Sequence, residues 1–345
     1  MEAWKIEGTN ILITGGASGL GAAYVEAFLK CGAKNIAILD IAEKAGKELT
    51  DKLNKLYKNK VIFVKCDVSK DDDINYAFDQ VLNTFNRIDV IINNAGIMND
   101  SPDVWKTSSL VNWVGLVSFT MKGIQHMRKD EGGQGGTIIN ISSSAAIVRV
   151  SIIPIYCGTK SAVLHFGRSI SSPKFNSDTG IRILTICLGA TDTELLHNLE
   201  HKTFDDKTSK AILSQINNLY EQRIESAVAA FLKMYREGAA GSVWLSANNK
   251  PGRDITSNVD VAFSELEKQY KASEFGHTES LSHRLMSDGP KRRHWWWRVT
   301  SRIDRRPRAH ACTTELGRDW LLQVDSVTEF VLKRHLGKQR VNIKT

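Results

Sequence analysis

Thr14-Gly15-Gly16-Ala17-Ser18-Gly19-Leu20-Gly21 separates a short apolar run from an amphipathic one, and its reading decides the fold. Residues 10–14 read as a buried strand and 20–31 as a helix. Glycines at 15, 19 and 21, with Ser18 and Leu20 between them, let the chain turn tightly. Backbone N–H groups then come close to a pyrophosphate, and the N-terminus of the following helix adds the positive end of its dipole. The spacing is G-x-x-x-G-x-G rather than G-x-G-x-x-G, with the same physical logic. A glycine-rich turn that holds no ligand produces the same short pattern, so further residues must decide.

Asp40 supplies one. It follows the apolar run 36–39, about 20 residues beyond the last glycine, where an acid binds both ribose hydroxyls of NAD. A carboxylate there repels the 2′-phosphate of NADP. The competing reading of Asp40 is a solvated acid that caps the next helix. Asp67 and Val68 end a later strand and are placed to touch adenine, Val68 through its backbone. A helix-capping role for Asp67 is the equal alternative.

Further along, short apolar runs alternate with longer amphipathic ones. Strands are expected at 35–39, 61–65, 89–92, 137–141 and 181–187, and a last short one at 243–245. Helices are expected at 42–57, 71–85, 104–129, 155–171 and 222–236. The acids at the start of 71–85 sit where the helix dipole favours them. Continuous apolar strands alternating with helices predict an α/β protein: a single-domain Rossmann fold, doubly wound, its parallel sheet covered by helices on both faces. That domain is expected to fill residues 1–262.

The chain has 345 residues, 42% hydrophobic and 24% charged, an ordinary globular composition. No apolar stretch is long enough for a membrane span. The start, Met1-Glu2-Ala3-Trp4-Lys5, lacks a basic patch followed by an apolar core, so no secretory signal is expected. Five scattered cysteines (Cys31, Cys66, Cys157, Cys187, Cys312) show neither disulfide nor metal-ligand spacing. A reducing, cytoplasmic setting is expected, with no metal. His126, His165 and His197 lie in separate segments and read as ordinary surface or core residues. The net charge of +8 comes from the tail, while the body is near neutral. Residues 263–345 read as a basic appendage that is poorly ordered. They include Lys291-Arg292-Arg293-His294-Trp295-Trp296-Trp297-Arg298, the basic run 302–308 and one amphipathic stretch at 321–336. Binding of nucleic acid or an anionic membrane surface is the rival use of that tail.

Tyr156 and Lys160 stand four apart at the start of a predicted helix and share a face. A free phenol, with a pKa near 10, is a poor base at neutral pH. A nearby ammonium favours the phenolate and is expected to lower that value. Thirteen residues upstream, Ser142-Ser143-Ser144 ends a strand. A hydroxyl there hydrogen-bonds a substrate oxygen and stabilises developing charge; the spacing to Tyr156 selects Ser143. Asn93-Asn94-Ala95-Gly96 follows the fourth strand, where small residues leave room for a cofactor. Asn112 sits in a predicted helix, where Asn is a poor helix former. Its amide is placed to bind backbone or water and to pass protons from Lys160 to solvent.

Thr14–Gly21, Asn93–Gly96, Asn112, Ser143, Tyr156 and Lys160 stand in the order of the short-chain dehydrogenase/reductase family, which the chain resembles over residues 4–262. Within that family, Pro154–Lys160 and Thr179–Ile183 carry a closer likeness to 15-hydroxyprostaglandin dehydrogenases and insect alcohol dehydrogenase-like proteins. The short connection from Gly96 to Asn112 does so too. The resemblance implies an NAD-dependent alcohol dehydrogenase. Tyr156 is then the general base, Lys160 its activator and ribose ligand, Ser143 the donor to the substrate oxygen, and Asn112 the proton relay. Gly15, Ser18, Gly19, Leu20, Gly21, Asp40, Asp67, Val68, Asn94, Ala95 and Gly96 hold the cofactor. Thr191 and Thr193 look like the family's contacts to the carboxamide and phosphates. A homodimer or homotetramer packed through 104–129 and 155–171 is also implied. One departure stands out: Leu188-Gly189 replaces the usual Pro-Gly after the sixth strand, which loosens a turn near the nicotinamide.

The segment 190–220 is expected to close over the substrate. Leu195, Leu196, Leu199, Phe204, Ile212 and Leu213 suit an apolar or amphipathic secondary alcohol, oxidised to a ketone. The rival reading is a catalytically inactive relative retained as a binding or structural protein, although such descendants usually lose the tyrosine, lysine or serine.

Overall fold

The computed structural model describes residues 4–197, 199–205, 207, 209–210 and 221–287. The basic tail beyond 287 and the expected lid residues Ile212 and Leu213 lie outside them. The chain divides into two units, Met1–Lys268 and Gln269–Thr345. All that follows concerns the first, apart from the bounds of the last described helix.

Strands β1 (Asn10–Thr14), β2 (Asn35–Asp40), β3 (Val61–Lys65), β4 (Val90–Asn93), β5 (Gly136–Ser143), β6 (Ile181–Leu188), β7 (Val243–Ser246) and β8 (Arg253–Asp254) form one sheet in the order β3-β2-β1-β4-β5-β6-β7-β8. All neighbours pair parallel except β7 and β8. The helices that lie in the described residues include α1 (Gly19–Lys30), α2 (Glu43–Tyr57), α3 (Asp71–Phe85), α4 (Trp105–Ser109), α5 (Leu116–Met127), α6 (Pro154–Ile170), α7 (Pro173–Thr179), α8 (Ile224–Glu237) and α9 (Thr256–Ser287).

The apolar strands are continuous because both faces are covered. Along β1 and β2, Ile11, Ile13, Ile36 and Ile38 turn to one face, where they meet Tyr24 and Phe28 of α1 and Phe231 of α8. Leu12, Ala37 and Leu39 turn to the other and meet Phe78 of α3 and Phe119 of α5. Every residue of β6 is buried. Strand order reverses between β1 and β4, both of which pair with their neighbours in register toward Thr14 and Asn93. The carboxyl ends of these strands therefore border a crevice at the switch point.

The expected element order holds, with boundaries moved by one or two residues. Three features differ. The helix expected at 104–129 is split: a π-helical turn, Leu110–Gly115, separates α4 from α5. The extra residue in that turn accompanies a buried Asn112, whose side chain bonds the Ile97 backbone in both directions. Helix α7 was not expected. It is about two turns opened by Pro173, with Ser172 accepting from the Phe175 N–H. Strand β8 is two exposed residues on the sheet edge and carries no apolar signal. The last described helix, α9, runs across the boundary expected at 262/263. No helix among the described residues is long and apolar enough to cross a membrane.

Candidate active site

The glycine turn opens the crevice. Gly15 has φ +63°, in the region that favours glycine. A Cβ on Gly21 would stand 2.0 Å from the Gly15 carbonyl oxygen, which is backbone and cannot yield. At the head of α1, Ser18 makes no side-chain cap and the first turn carries no acid. The helix thus presents N–H groups and the positive end of its dipole without an internal anion to neutralise them. A pyrophosphate fits this cradle by its charge and by the space the missing side chains leave.

Asn94 ties the turn to β4. Its amide donates to the carbonyls of Thr14 (3.1 Å) and Gly15 (2.8 Å). The Thr14 hydroxyl accepts from the backbone N–H groups of Asn94 and Ala95, each at 3.1 Å. Asp40 ends β2, and its carboxylate accepts from the N–H groups of Ala17 (3.0 Å) and Ala42 (2.9 Å). It caps the following turn, as the competing reading of this acid expected, and also braces the glycine turn. Asp67 differs: its carboxylate accepts from the Ser69 hydroxyl (2.6 Å) and N–H (3.0 Å) and pairs with Lys70 (3.2 Å). These bonds hold it below the usual carboxylate range against the cost of its partial burial.

A cavity of about 680 Å³ runs from the glycine turn to the far end of the crevice. Gly15, Ser18, Gly19, Leu20, Gly21, Asp40, Asp67, Val68, Asn94, Ala95 and Gly96 are among the residues that line it. Ser143, Tyr156, Lys160, Thr191 and Thr193 line the same cavity. Asn112 does not reach the cavity. Its carbonyl accepts from the Ile97 N–H (2.7 Å), and its amide donates to the Ile97 carbonyl (2.8 Å) and Thr159 hydroxyl (3.3 Å). A Cβ on Gly96 would lie 3.4 Å from Asn112 Oδ1 and 3.5 Å from Lys160 Nζ, so these two polar groups flank one glycine.

The three serines separate. Ser142 is buried and donates to the Lys160 carbonyl at 2.9 Å. Ser144 opens a short helical turn. The Ser143 hydroxyl accepts from the Ala145 N–H (3.1 Å), donates to the Leu188 carbonyl (3.3 Å) and lies beside the Tyr156 phenol. Lys160 donates from Nζ to the Ile141 carbonyl at 3.0 Å, with Nζ 5.7 Å from the Tyr156 ring centre.

One electrostatic expectation is corrected here. The lysine was expected to draw the phenol down. In the protein alone, burial dominates both groups and pushes Tyr156 up to about 12, with hydrogen bonding by Ser143 opposing the rise. Burial likewise takes Lys160 down to about 8. Each is charged only at a desolvation cost, and neither is the other's hydrogen-bond partner.

Leu188, in place of the usual proline, is the last residue of β6 and is buried in the core. Beyond it, Gln222 was not anticipated. Fully buried, it donates to the Thr191 hydroxyl (3.0 Å) and the Ser246 carbonyl (3.1 Å) and accepts from the Ser246 hydroxyl (3.0 Å). It thereby closes both ends of the segment 191–222, a role that no local spacing announces. Thr193 donates to the Thr191 carbonyl at 3.2 Å. Leu196 and Leu199 pack with Met98, Ile152, Ile153 and Tyr156, while Leu195 and Phe204 are exposed.

The crevice at the sheet's switch point thus leads from an anion cradle to a buried phenol, a lysine and a serine, an arrangement that suits an oxidoreductase. Residues 9–203 match the short chain dehydrogenase family, and the chain belongs to it. Its relatives include the mouse (Mus musculus) 15-hydroxyprostaglandin dehydrogenase (NAD+), similar at 36% identity over 196 residues, 56% of this chain and 72% of that one. Alcohol dehydrogenase 1 of Ceratitis cosyra is 32% identical over 244 residues, 70% of this chain and 93% of that protein. Among solved structures, the NADPH-dependent 3-quinuclidinone reductase from Rhodotorula rubra matches with a TM-score of 0.59 at 25% identity, over 71% of this chain and 92% of that one.

Proposed function

We propose that this chain oxidises an apolar or amphipathic secondary alcohol to the ketone, with NAD as hydride acceptor and Tyr156 as general base. The observation that carries the reading is that Tyr156, Lys160 and Ser143 line the same cavity as the glycine turn and Asp40. The bound nicotinamide supplies the two-electron acceptor. The chain's own groups do the rest. Ser143, its hydroxyl turned away from the Leu188 carbonyl, donates to the substrate oxygen and holds charge that develops on it. The Tyr156 oxygen takes the hydroxyl proton. A cation within a few ångströms opposes the burial that holds the phenol high, and Lys160 is the chain's own source of one. Asn112, across Gly96 from Lys160, relays the proton onward.

NAD rather than NADP is favoured by the Asp40 carboxylate at the end of β2, where a 2′-phosphate would meet like charge. The name of the similar mouse protein agrees with NAD, and that of the similar Ceratitis cosyra protein with an alcohol substrate. The apolar wall of Met98, Ile152, Ile153, Leu196 and Leu199 suits a carbon skeleton such as that of a 15-hydroxyprostaglandin. The working form is a homodimer or homotetramer; Leu110, Val114 and Met121, exposed at spacings of four and seven on the helical stretch before α6, support it.

The deciding experiment is a panel of secondary alcohols assayed with NAD and with NADP by nicotinamide absorbance, for the wild type and Tyr156→Phe. Turnover with NAD that is lost in the variant is expected. Equal turnover by the variant would refute the base assignment.

A further inference from the structure

Asp100 lies between β4 and α4 and is almost fully buried. Its carboxylate accepts from the backbone N–H of Ile155 at 2.6 Å and of Tyr156 at 3.0 and 3.2 Å. Those N–H groups belong to the first turn of α6, where a helix has no partners of its own. Ile153, the residue before α6, makes no cap. A carboxylate 55 residues upstream of Ile155 therefore does what a Ser or Asp at the cap normally does. Asp100 also reaches the other wall of the cavity. Its own N–H donates to the Lys202 carbonyl at 2.8 Å, and Lys202 and Thr203 line the cavity beside Leu199.

We propose that Asp100 is a positioning residue: it fixes the first turn of α6, and with it the Tyr156 ring, and ties that turn to the substrate wall at Lys202. The role rests on the reading of Tyr156 as the base. Charge supports it. The groups that feel the Asp100 carboxylate are Tyr156 and Cys157, both on α6, and it raises each of them. The Lys202 ammonium is turned away, donating to the His197 carbonyl at 2.6 Å. Burial raises Asp100 itself, and the two N–H donors oppose that.

The test uses the full chain and two variants. Asp100→Asn keeps an acceptor oxygen but removes the charge; Asp100→Ala removes both. Hydrogen–deuterium exchange is followed in peptides covering 152–160 and 199–205, without cofactor. In Asp100→Ala, exchange is expected to accelerate on the order of tenfold in both peptides, and Asp100→Asn restores most of the protection. A rise confined to 152–160 would overturn the link to the substrate wall.

The second readout is the pH profile of kcat/KM with NAD and a secondary alcohol. Without the negative charge the phenol ionises more readily, so the acid limb of Asp100→Asn moves to lower pH, by roughly half a unit or more. A merely structural cap would leave that limb in place, and an unmoved limb overturns the electrostatic half of the proposal. The Asn variant serves this readout even if the Ala variant fails to fold. If Tyr156→Phe keeps wild-type turnover, the base assignment fails on its own, and exchange still decides whether Asp100 joins the two segments.

Discussion

Lys160 donates its ammonium to the carbonyl oxygen of Ile141 at 3.0 Å, inside the protein and with no carboxylate partner among the described residues. Burial takes its pKa from 10.5 down to about 8. Between those values the unfolded chain holds a proton that the folded chain has released. Stability from this group therefore rises with pH across that window, and below about 8 the cost of burying the ammonium is present in full. Lys160→Met keeps the stem and removes the charge. At pH 7 without cofactor it should be more stable than the wild type by on the order of 2 kcal/mol. The advantage should fade toward pH 10.5, as calorimetric melts at stepped pH would show. A difference that does not change with pH would contradict the burial argument.

Gly21 faces the Gly15 carbonyl so closely that even one methyl has no place. Gly21→Ala must push the turn off β1 or tilt α1. The expected result is destabilisation of about 2 kcal/mol and loss of NAD binding by about a hundredfold or more, since the cradle depends on backbone N–H positions. Isothermal titration with NAD measures the second effect. Unchanged affinity would mean that the pyrophosphate sits elsewhere.

Legibility followed the range of the interactions. The strands were readable because parallel strands buried on both faces must be apolar throughout, and 181–188 is buried at every position. The glycine turn, Tyr156 and Lys160 were readable because each works over a few residues of sequence. The π-helical turn was not, since it is held by Asn112 bonding to Ile97, fifteen residues away. Gln222 and Asp100 were missed for the same reason. Each is an unremarkable polar residue until the fold brings Ser246 or Tyr156 against it. The direction of the Tyr156 shift is not legible in the sequence, because spacing reports proximity to Lys160 and says nothing of burial, which is the larger effect.

Asp40 combines a bracing role with charge, and the two can be separated. Asp40→Asn retains an oxygen to accept from Ala17 or Ala42 but carries no charge. The ratio of kcat/KM for NADP over NAD should rise about tenfold or more, equivalent to about 1.4 kcal/mol of relieved repulsion. Steady-state assays with both cofactors provide the ratio. If it stays at the wild-type value, cofactor choice is set by another residue.

Arg182 is fully buried at the start of β6, with no carboxylate beside it among the described residues. Its Nη1 donates to the carbonyls of Tyr235 (2.8 Å) and Gly238 (2.9 Å), which close α8. Nε and Nη2 share the Thr137 hydroxyl. The guanidinium lies 3.9 Å from the Trp4 ring centre. It serves as a cationic cap on the negative end of a helix dipole, and its pKa falls to about 10 because burial costs more than neutral acceptors return. Arg182→Met fills the space but strands two helix carbonyls and a hydroxyl without donors. The expected loss is about 3 kcal/mol, or roughly 6–12 °C in melting temperature for a domain of this size. Arg182 does not line the cavity, so kcat and KM measured well below the melting temperature should stay within about twofold of the wild type. A large kinetic defect in folded Arg182→Met would show that the far end of β6 communicates with Ser143 and Leu188, which pair at the strand's other end.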